Sequence, residues 1–141
     1  MTELKIINPM AHFAKVKDLL MQLNPNKQAT YIEETLKKMV MLDNYTCFGL
    51  YQAGELLGIS SGWTTVRIYC GKHLELDNVI VDNRLQSKGL GKQFFSKIED
   101  WALQNGYDAV GLTTYLSNAR SHKFYFNQGY NILGFHFQKT N

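Results

Sequence analysis

The stretch QSKGLGK at 86–92 holds the most chemically suggestive spacing in the chain: Gly89 and Gly91, one residue apart, between Lys88 and Lys92. Glycines at that spacing let a main chain bend sharply and aim its N–H groups at a partner, and the flanking ammonium groups mark the partner as anionic. A helix beginning there would add its dipole and its unpaired N–H donors, which together suit a diphosphate. Upstream, HLELD at 73–77 alternates as a strand does, so His73, Glu75 and Asp77 share one face and Leu74 and Leu76 the other. Three ionisable groups on one strand face can accept protons, or they can simply solvate an open sheet face.

Spacing excludes two familiar phosphate loops. A P-loop needs GxxxxGK followed by Ser or Thr, but Gln86 stands at the first glycine and Gln93 at the last position. A GxGxxG dinucleotide fingerprint needs a third glycine where Phe94 stands. A strand, QxxGxG and a helix remain, and the glycines alone leave open both an anion cradle and a turn that binds nothing.

The elements around this turn can be read from periodicity. LKII at 4–7 suits a strand closed by Asn8-Pro9, and Phe13, Val16, Leu20 and Leu23 fall on one helical face before Asn24-Pro25-Asn26. Ile32, Leu36, Met39 and Val40 repeat the helical period, with Thr30 and Glu33 at capping-box spacing. From Tyr45 the period shortens: CFGLY at 47–51 and ELLGISSGWTTVRIY at 55–69 are expected to be strands joined at Ala53-Gly54, and Gly71 turns the chain into HLELDNVIV at 73–81. After the glycine turn, Leu90, Phe94, Ile98, Trp101 and Ala102 share a helix face that ends at Asn105-Gly106. DAVGLTT at 108–114 predicts a strand, SNARSHKFYFNQG at 117–129 a short helix, and NILGFHF at 131–137 a closing strand.

A second motif lies in that short helix. Asn118 is followed seven residues later by Tyr125, and then by Gly129 and the aromatic Tyr130. With Gln86, Gly89 and Gly91 before it, and with elements in this order, nearly the whole chain resembles the GNAT superfamily of acetyl-CoA-dependent N-acetyltransferases. The resemblance implies an α+β fold, a three-layer sandwich whose mixed central sheet of about six to seven strands is flanked by about four helices. It also implies one domain over 1–141, with acetyl-CoA as cosubstrate.

By the same resemblance, Val79, Ile80 and Val81 would offer main-chain groups to the pantetheine arm, and Asn118 would hydrogen-bond near it. Gln86, Ser87, Lys88, Gly89, Leu90, Gly91 and Lys92 would hold the diphosphate. Tyr125 matches the family's acid, which protonates the departing CoA sulfur, and the N–H of Ile80 would meet the oxyanion. Glu75 stands eleven residues before Gln86, where some members place their base. An alkyl amine with a pKa of about 10.4 needs such a base at neutral pH.

Direct transfer in a ternary complex needs no cysteine nucleophile, and Cys47 and Cys70 occupy no matching motif. The acceptor expected is a primary amine, a small molecule before a peptide N-terminus or protein lysine. Glu33, Glu34, Glu75 and Asp77 could form an acidic surface for it, and Trp63, Tyr69 and Phe135 a wall. A non-catalytic acyl-CoA sensor is the alternative, because it would keep the cradle without needing Glu75 or Tyr125.

Other classes fit poorly. The net charge of +3 is spread along the chain, with no basic run to hold nucleic acid. MTELKIINPM lacks a basic-then-apolar export pattern, no apolar run approaches a membrane span, and the two cysteines lack CxxC spacing, so a soluble cytoplasmic protein with reduced thiols is expected. His73, His122 and His136 lack metal-ligand spacing, so no metal is expected. An exposed edge strand near the C-terminus would permit a homodimer.

Overall fold

Two tight turns set the sheet in the computed structural model, which describes residues 1–85 and 88–141. Strands β2 (Tyr45–Gln52) and β3 (Glu55–Arg67) are joined by Ala53 and Gly54, with φ of 50° and 80°. Two successive left-handed residues give a hairpin turn whose twist matches that of its strands. Gly71, also at positive φ, starts β4 (Gly71–Val81), which returns antiparallel along β3. β1 (Glu3–Ile6) pairs antiparallel with the outer side of β2, and β5 (Ala109–Leu112) lies parallel to β4, giving the order β1-β2-β3-β4-β5.

Helices fill both faces. α1 (Phe13–Leu23) and α2 (Ala29–Val40) follow β1 and bury Val16, Leu19, Leu20, Ile32 and Leu36 with Tyr51, Leu56 and Ile59 of the sheet. α3 (Leu90–Gln104) forms the crossover that a parallel β4-β5 pair requires, and it sets Leu90, Phe94, Phe95, Ile98 and Ala102 against Phe48, Leu74 and Leu76. α4 (Ala119–Asn127) packs Phe124 and Tyr125 on the edge of this second core. The alternation of β4 thus separates two apolar cores, one for each helical layer. Among the described residues no helix is long and apolar enough to cross a membrane.

Two expectations are corrected. The Thr30–Glu33 capping box does not form: α2 begins at Ala29 behind an extended Gln28, so Thr30 already lies inside the helix and Glu33 pairs with Lys37 at 3.8 Å. The closing strand at 131–137 does not form either, and among the described residues the sheet has five strands instead of six to seven. Its residue pattern is that of a strand, but a strand exists only where another backbone meets its N–H and C=O groups, and among the described residues none pairs with it. Ile132, Leu133, Phe135 and Phe137 are left 71–91% exposed.

One buried carboxylate ties the end of β4 to α1. Asp82, 3% exposed, accepts hydrogen bonds from Lys15 Nζ at 2.7 Å, Arg84 Nη2 at 2.6 Å and Arg84 Nε at 2.9 Å. Gln22 of α1 accepts from the N–H of Asn83 at 2.8 Å, so the turn leaving β4 is stitched to the helix by two neighbouring residues. The Arg84 guanidinium holds the Asp82 carboxyl far below the usual carboxylate range, with Lys15 adding to the effect against the opposing cost of burial. A depressed folded-state pKa contributes stability that is complete above the unfolded value and is lost as pH falls through the folded one. Asp82→Asn is therefore expected to lower the melting temperature by a constant amount between pH 5 and 7, in the range where the carboxyl is ionised both folded and unfolded. The gap to the parent should shrink below about pH 4, as thermal melts across pH would record.

Candidate active site

The site begins with a break in strand regularity. β4 pairs with β3 through Asp77 opposite Ser61, and resumes at Ile80 opposite Ile59. Between them Asn78 adopts φ of 51°, and Asn78 and Val79 together face Ser60. This is a β-bulge, and asparagine is one of the few side chains that enter the left-handed region readily. The extra residue shifts the alternation by one, turning Val79 and Val81 to the α3 core and Ile80 to the α1–α2 core. Pairing of β4 with β5 has already ended at Leu76 and Leu112, so the bulged end of β4 lacks a neighbour on that side.

A cavity of about 370 Å³ occupies this opening. Of the residues expected to hold the cofactor, Val79, Ile80, Val81, Gly89, Leu90, Gly91 and Lys92 line it, and so does Tyr125. Gly89 is the N-cap of α3 with φ of 71°, a conformation that suits a residue without Cβ, and it supplies no capping side chain. The first intrahelical bond runs from the N–H of Gln93 to the carbonyl of Gly89 at 3.2 Å. Helix geometry therefore leaves the N–H groups of Leu90, Gly91 and Lys92 without intrahelical acceptors at the positive end of the α3 dipole. Gln86 and Ser87, the remaining cradle residues, lie outside the described residues, and Lys88 is exposed and does not line the cavity.

Four lining residues escaped the sequence reading: Leu85, Phe95, Arg120 and Phe124. Arg120 had a usable signal, a cation in the first turn of the short helix, but only tertiary packing shows that α4 brings it to the α3 N-terminus. Phe95 is the centre of an aromatic cluster, with ring centroids 5.4 Å from Phe124, 5.5 Å from Tyr125 and 6.3 Å from Tyr130. Tyr130 donates its hydroxyl to Glu99 Oε2 of α3 at 2.7 Å, which pins the end of α4. Tyr125 is thereby held between two rings, and no described residue takes up its hydroxyl in a hydrogen bond. Burial raises its pKa above the ordinary tyrosine value, so the hydroxyl carries its proton at neutral pH.

Asn118 and Glu75 do not line this cavity. Asn118 is the N-cap of α4, its Oδ1 accepting from the N–H of Ser121 at 3.2 Å. Glu75 Oε1 meets Nε2 of the buried His73 at 2.8 Å, and its other oxygen accepts from Thr113 Oγ1 at 3.5 Å. His73 Nδ1 lies 3.5 Å from Cys70 Sγ. The imidazole fits because residue 111, opposite Glu75 on β5, is glycine: a Cβ there would stand 2.6 Å from the ring. The face of His73, Glu75 and Asp77 is thus only partly a solvated surface.

A second cavity, of about 190 Å³, lies on the α1–α2 side of the bulge, where Asn78 and Ile59 form part of its wall. Tyr31, Tyr45, Ser61 and Lys27 give it polar points in a mostly apolar lining. Burial raises the Tyr45 hydroxyl well above the tyrosine range, with the Cys47 thiol adding to it, and burial pushes that thiol up to about 11. The carboxylates expected around an acceptor, Glu33, Glu34, Glu75 and Asp77, do not line this cavity, and neither do Trp63, Tyr69 and Phe135. Trp63 instead backs the wall by packing on Tyr45 at 5.0 Å, while Tyr69 and Phe135 are exposed.

Comparison with known proteins agrees with this geometry. Residues 13–130 match the Acetyltransferase (GNAT) family. An uncharacterized N-acetyltransferase of Bacillus subtilis, YhdJ, is 29% identical over 111 residues, which is 78% of each chain. Among solved structures, a GNAT family acetyltransferase from Staphylococcus aureus superposes with a TM-score of 0.80 at 15% identity, over 99% of this chain and 98% of that one. The aminoglycoside N-acetyltransferase AAC(6')-Iy in complex with CoA gives 0.81 at 16% identity, over 100% and 95%. This chain belongs to the GNAT family, has its fold, and is an acetyltransferase.

The cavity can be tested at Gly91. Among the described residues a Cβ there would meet only the Phe124 ring, at 4.0 Å, so these residues leave room for a side chain that a ligand in the cradle would not. Gly91→Val is expected to keep its stability within about 1 kcal/mol of the parent, because valine replaces glycine in a helix. It should also weaken acetyl-CoA binding by roughly tenfold or more, about 1.4 kcal/mol, read by calorimetry beside a thermal melt.

Proposed function

We propose that the protein transfers the acetyl group of acetyl-CoA directly to the amine of a small molecule, within a ternary complex. The observation that carries this reading is one cavity lined by the bulged backbone Val79–Val81, the α3 N-terminus and the Tyr125 side chain. When bound, acetyl-CoA supplies an activated acyl group on a thiol with a pKa of about 8.5. The N–H groups at Leu90 to Lys92 would take the diphosphate, with Arg120 and Lys92 adding charge, and Gln86 and Ser87 would complete the cradle. Asn118 would bind near the pantetheine through its backbone, since its side chain caps α4.

Catalysis needs three services from the chain. Ile80 turns its carbonyl, and with it its N–H, toward β3, so the N–H for the oxygen that gains charge at the carbonyl would come from Val79 or Val81 on the open side of the strand. Tyr125 would give its proton to the departing sulfur, as the new C–N bond forms and the C–S bond breaks. Glu75, steadied by His73, would accept the proton of the incoming ammonium through water, because its carboxylate lines neither cavity.

The second cavity narrows the acceptor. No carboxylate lines it, so a polycation would find no counter-charges on its walls, whereas a compact amine with an apolar or aromatic body would match its surface. AAC(6')-Iy is an aminoglycoside N-acetyltransferase, and a related soil enzyme is solved with sisomicin, yet both are under 25% identical to this chain. The chemistry of the cavity therefore weighs more than their substrates do.

Thiol release from acetyl-CoA, followed over a panel of arylalkyl amines, aminoglycosides and lysine peptides, tests the reading. Release is expected with the arylalkyl amines first, while tight binding without release on any amine would favour an acyl-CoA sensor. Tyr125→Phe is expected to lower kcat by roughly 10²-fold or more with little change in KM for acetyl-CoA. Glu75→Gln should lower kcat/KM for the amine by a similar factor of roughly 10² and leave acetyl-CoA binding intact, and an unchanged rate would remove Glu75 as the base.

A further inference from the structure

We propose that Cys70, His73 and Glu75 form a reactive-thiol site, at which Cys70 takes up one half of a small-molecule disulfide as a mixed disulfide. The inference does not depend on the acetyl-transfer reading and starts from a chain of polar contacts at the start of β4. The turn between β3 and β4 closes with the N–H of Cys70 on the carbonyl of Arg67 at 3.3 Å, which sets the thiol one residue ahead of the strand. Alternation then places His73 and Glu75 on one face of β4. Cys70 Sγ lies 3.5 Å from His73 Nδ1, with a longer contact of 4.0 Å to the carbonyl of Gly71. On the far side of the ring, Nε2 meets Glu75 Oε1 at 2.8 Å.

These contacts assign the roles. A carboxylate only accepts, so Nε2 carries the ring proton, and in the neutral imidazole the lone pair of Nδ1 then faces the thiol. The ring is 6% exposed, and each of its nitrogens has one partner. Gly111 of β5 leaves the pair its space, because a Cβ there would stand 2.8 Å from Nε2 and 3.3 Å from Glu75 Oε1. Thiol, imidazole and carboxylate thus stand in series, the order in which a base activates a cysteine and a third group orients the base. The thiol and the carboxylate take opposite ring nitrogens and do not converge on one point, and among the described residues no cluster of such side chains is arranged to hold a metal ion.

The other cysteine shows the contrast. Cys47 is 3% exposed, burial pushes its thiol up to about 11, and its sulfur meets the carbonyl of Phe48 at 3.9 Å, which cannot take a proton. Cys70 is only part-buried, beside a turn whose Ile68 and Tyr69 are exposed, so a small reagent can approach it from solvent. The Arg67 guanidinium, raised above its ordinary pKa first by its hydrogen bond with Tyr69, also feels the charges of Glu75 and Cys70, so a cation stands within electrostatic reach of the sulfur. In the reaction Cys70 Sγ attacks one sulfur of the disulfide while His73 Nδ1 takes the thiol proton. The new S–S bond forms as the old one breaks, and the proton passes to the departing thiolate. Cys70 is oxidised and the departing half is reduced, so the disulfide itself is the oxidant.

The test uses the full chain and an aromatic nitrobenzoate disulfide, whose released thiolate absorbs visible light. Rates at neutral pH are compared for the folded chain and the chain unfolded in urea, each relative to N-acetylcysteine in the same solvent, and peptide mapping by mass spectrometry locates the adduct. A part-buried thiol without a base reacts more slowly folded than unfolded. One adduct is expected in the folded chain, on Cys70, at a rate at least about tenfold above that of Cys70 in the unfolded chain, since an ordinary thiol is only a few per cent thiolate at neutral pH. Cys47 should react only in urea. His73→Gln, with circular dichroism confirming its fold, should bring the rate to within about twofold of the unfolded one. Folded Cys70→Ser should take up no reagent. A folded Cys70 no faster than the unfolded one, a folded adduct on Cys47, or an acceleration that persists in folded His73→Gln each overturns the site. The comparison of folded with unfolded chain needs no substitution, so it decides the matter even where a variant fails to fold.

Discussion

The site depends on one irregular residue in β4. A regular strand would send every second side chain to the same face and bind all its backbone groups to its neighbours. At Asn78 the positive φ inserts one residue, so the side chains before and after it answer to opposite cores. Holding a non-glycine residue there costs on the order of 1–3 kcal/mol and persists only where the surroundings fix it. Here they do: Leu74 and Leu76 are anchored before the bulge, and Val79, Ile80 and Val81 after it, in two cores on opposite faces. The strand is rigid on both sides of its defect, which is what places a backbone segment beside a cavity with little freedom.

The two cavities follow from the same defect. The larger one lies where β4 has left β5, between the bulged strand and the N-terminus of α3; the smaller lies against α1 and α2, with Asn78 in its wall. Leu85 and Gly89, from the segment between β4 and α3, line the larger cavity, and Asp82, where the chain leaves β4, is tied to α1 through Lys15. A buried carboxylate with several charge-assisted partners is costly to lose one partner at a time, so α1 and the end of β4 hold a common geometry. The aromatic cluster around Phe95 does the corresponding work for α4, setting the height of Tyr125 above α3.

Local patterns were legible where local physics decides. Left-handed glycines, helix faces and the Ala53-Gly54 hairpin depend on near neighbours in the chain, and each is found where the residues put it. The Thr30–Glu33 box failed because a cap competes with where a helix starts, and packing of Ile32 and Leu36 outweighs a hydrogen bond or two at its end. The closing strand failed for another reason: residue type makes 131–137 fit for a sheet, but a strand is a relation between two backbones, and one segment holds only half of it.

The site shows the same division. By itself the sequence determined the glycine turn before α3, the two-motif signature, the family and the alternation that groups His73 with Glu75, because these rest on spacing within a few residues. Only the tertiary structure decided that Arg120 and Phe124 reach the cradle, that Asn118 caps a helix, and that the acidic residues expected around an acceptor stand away from the smaller cavity. Such facts depend on how four helices settle on a sheet, and that is set by the summed burial of two cores drawn from distant parts of the chain, which no short window of residues contains.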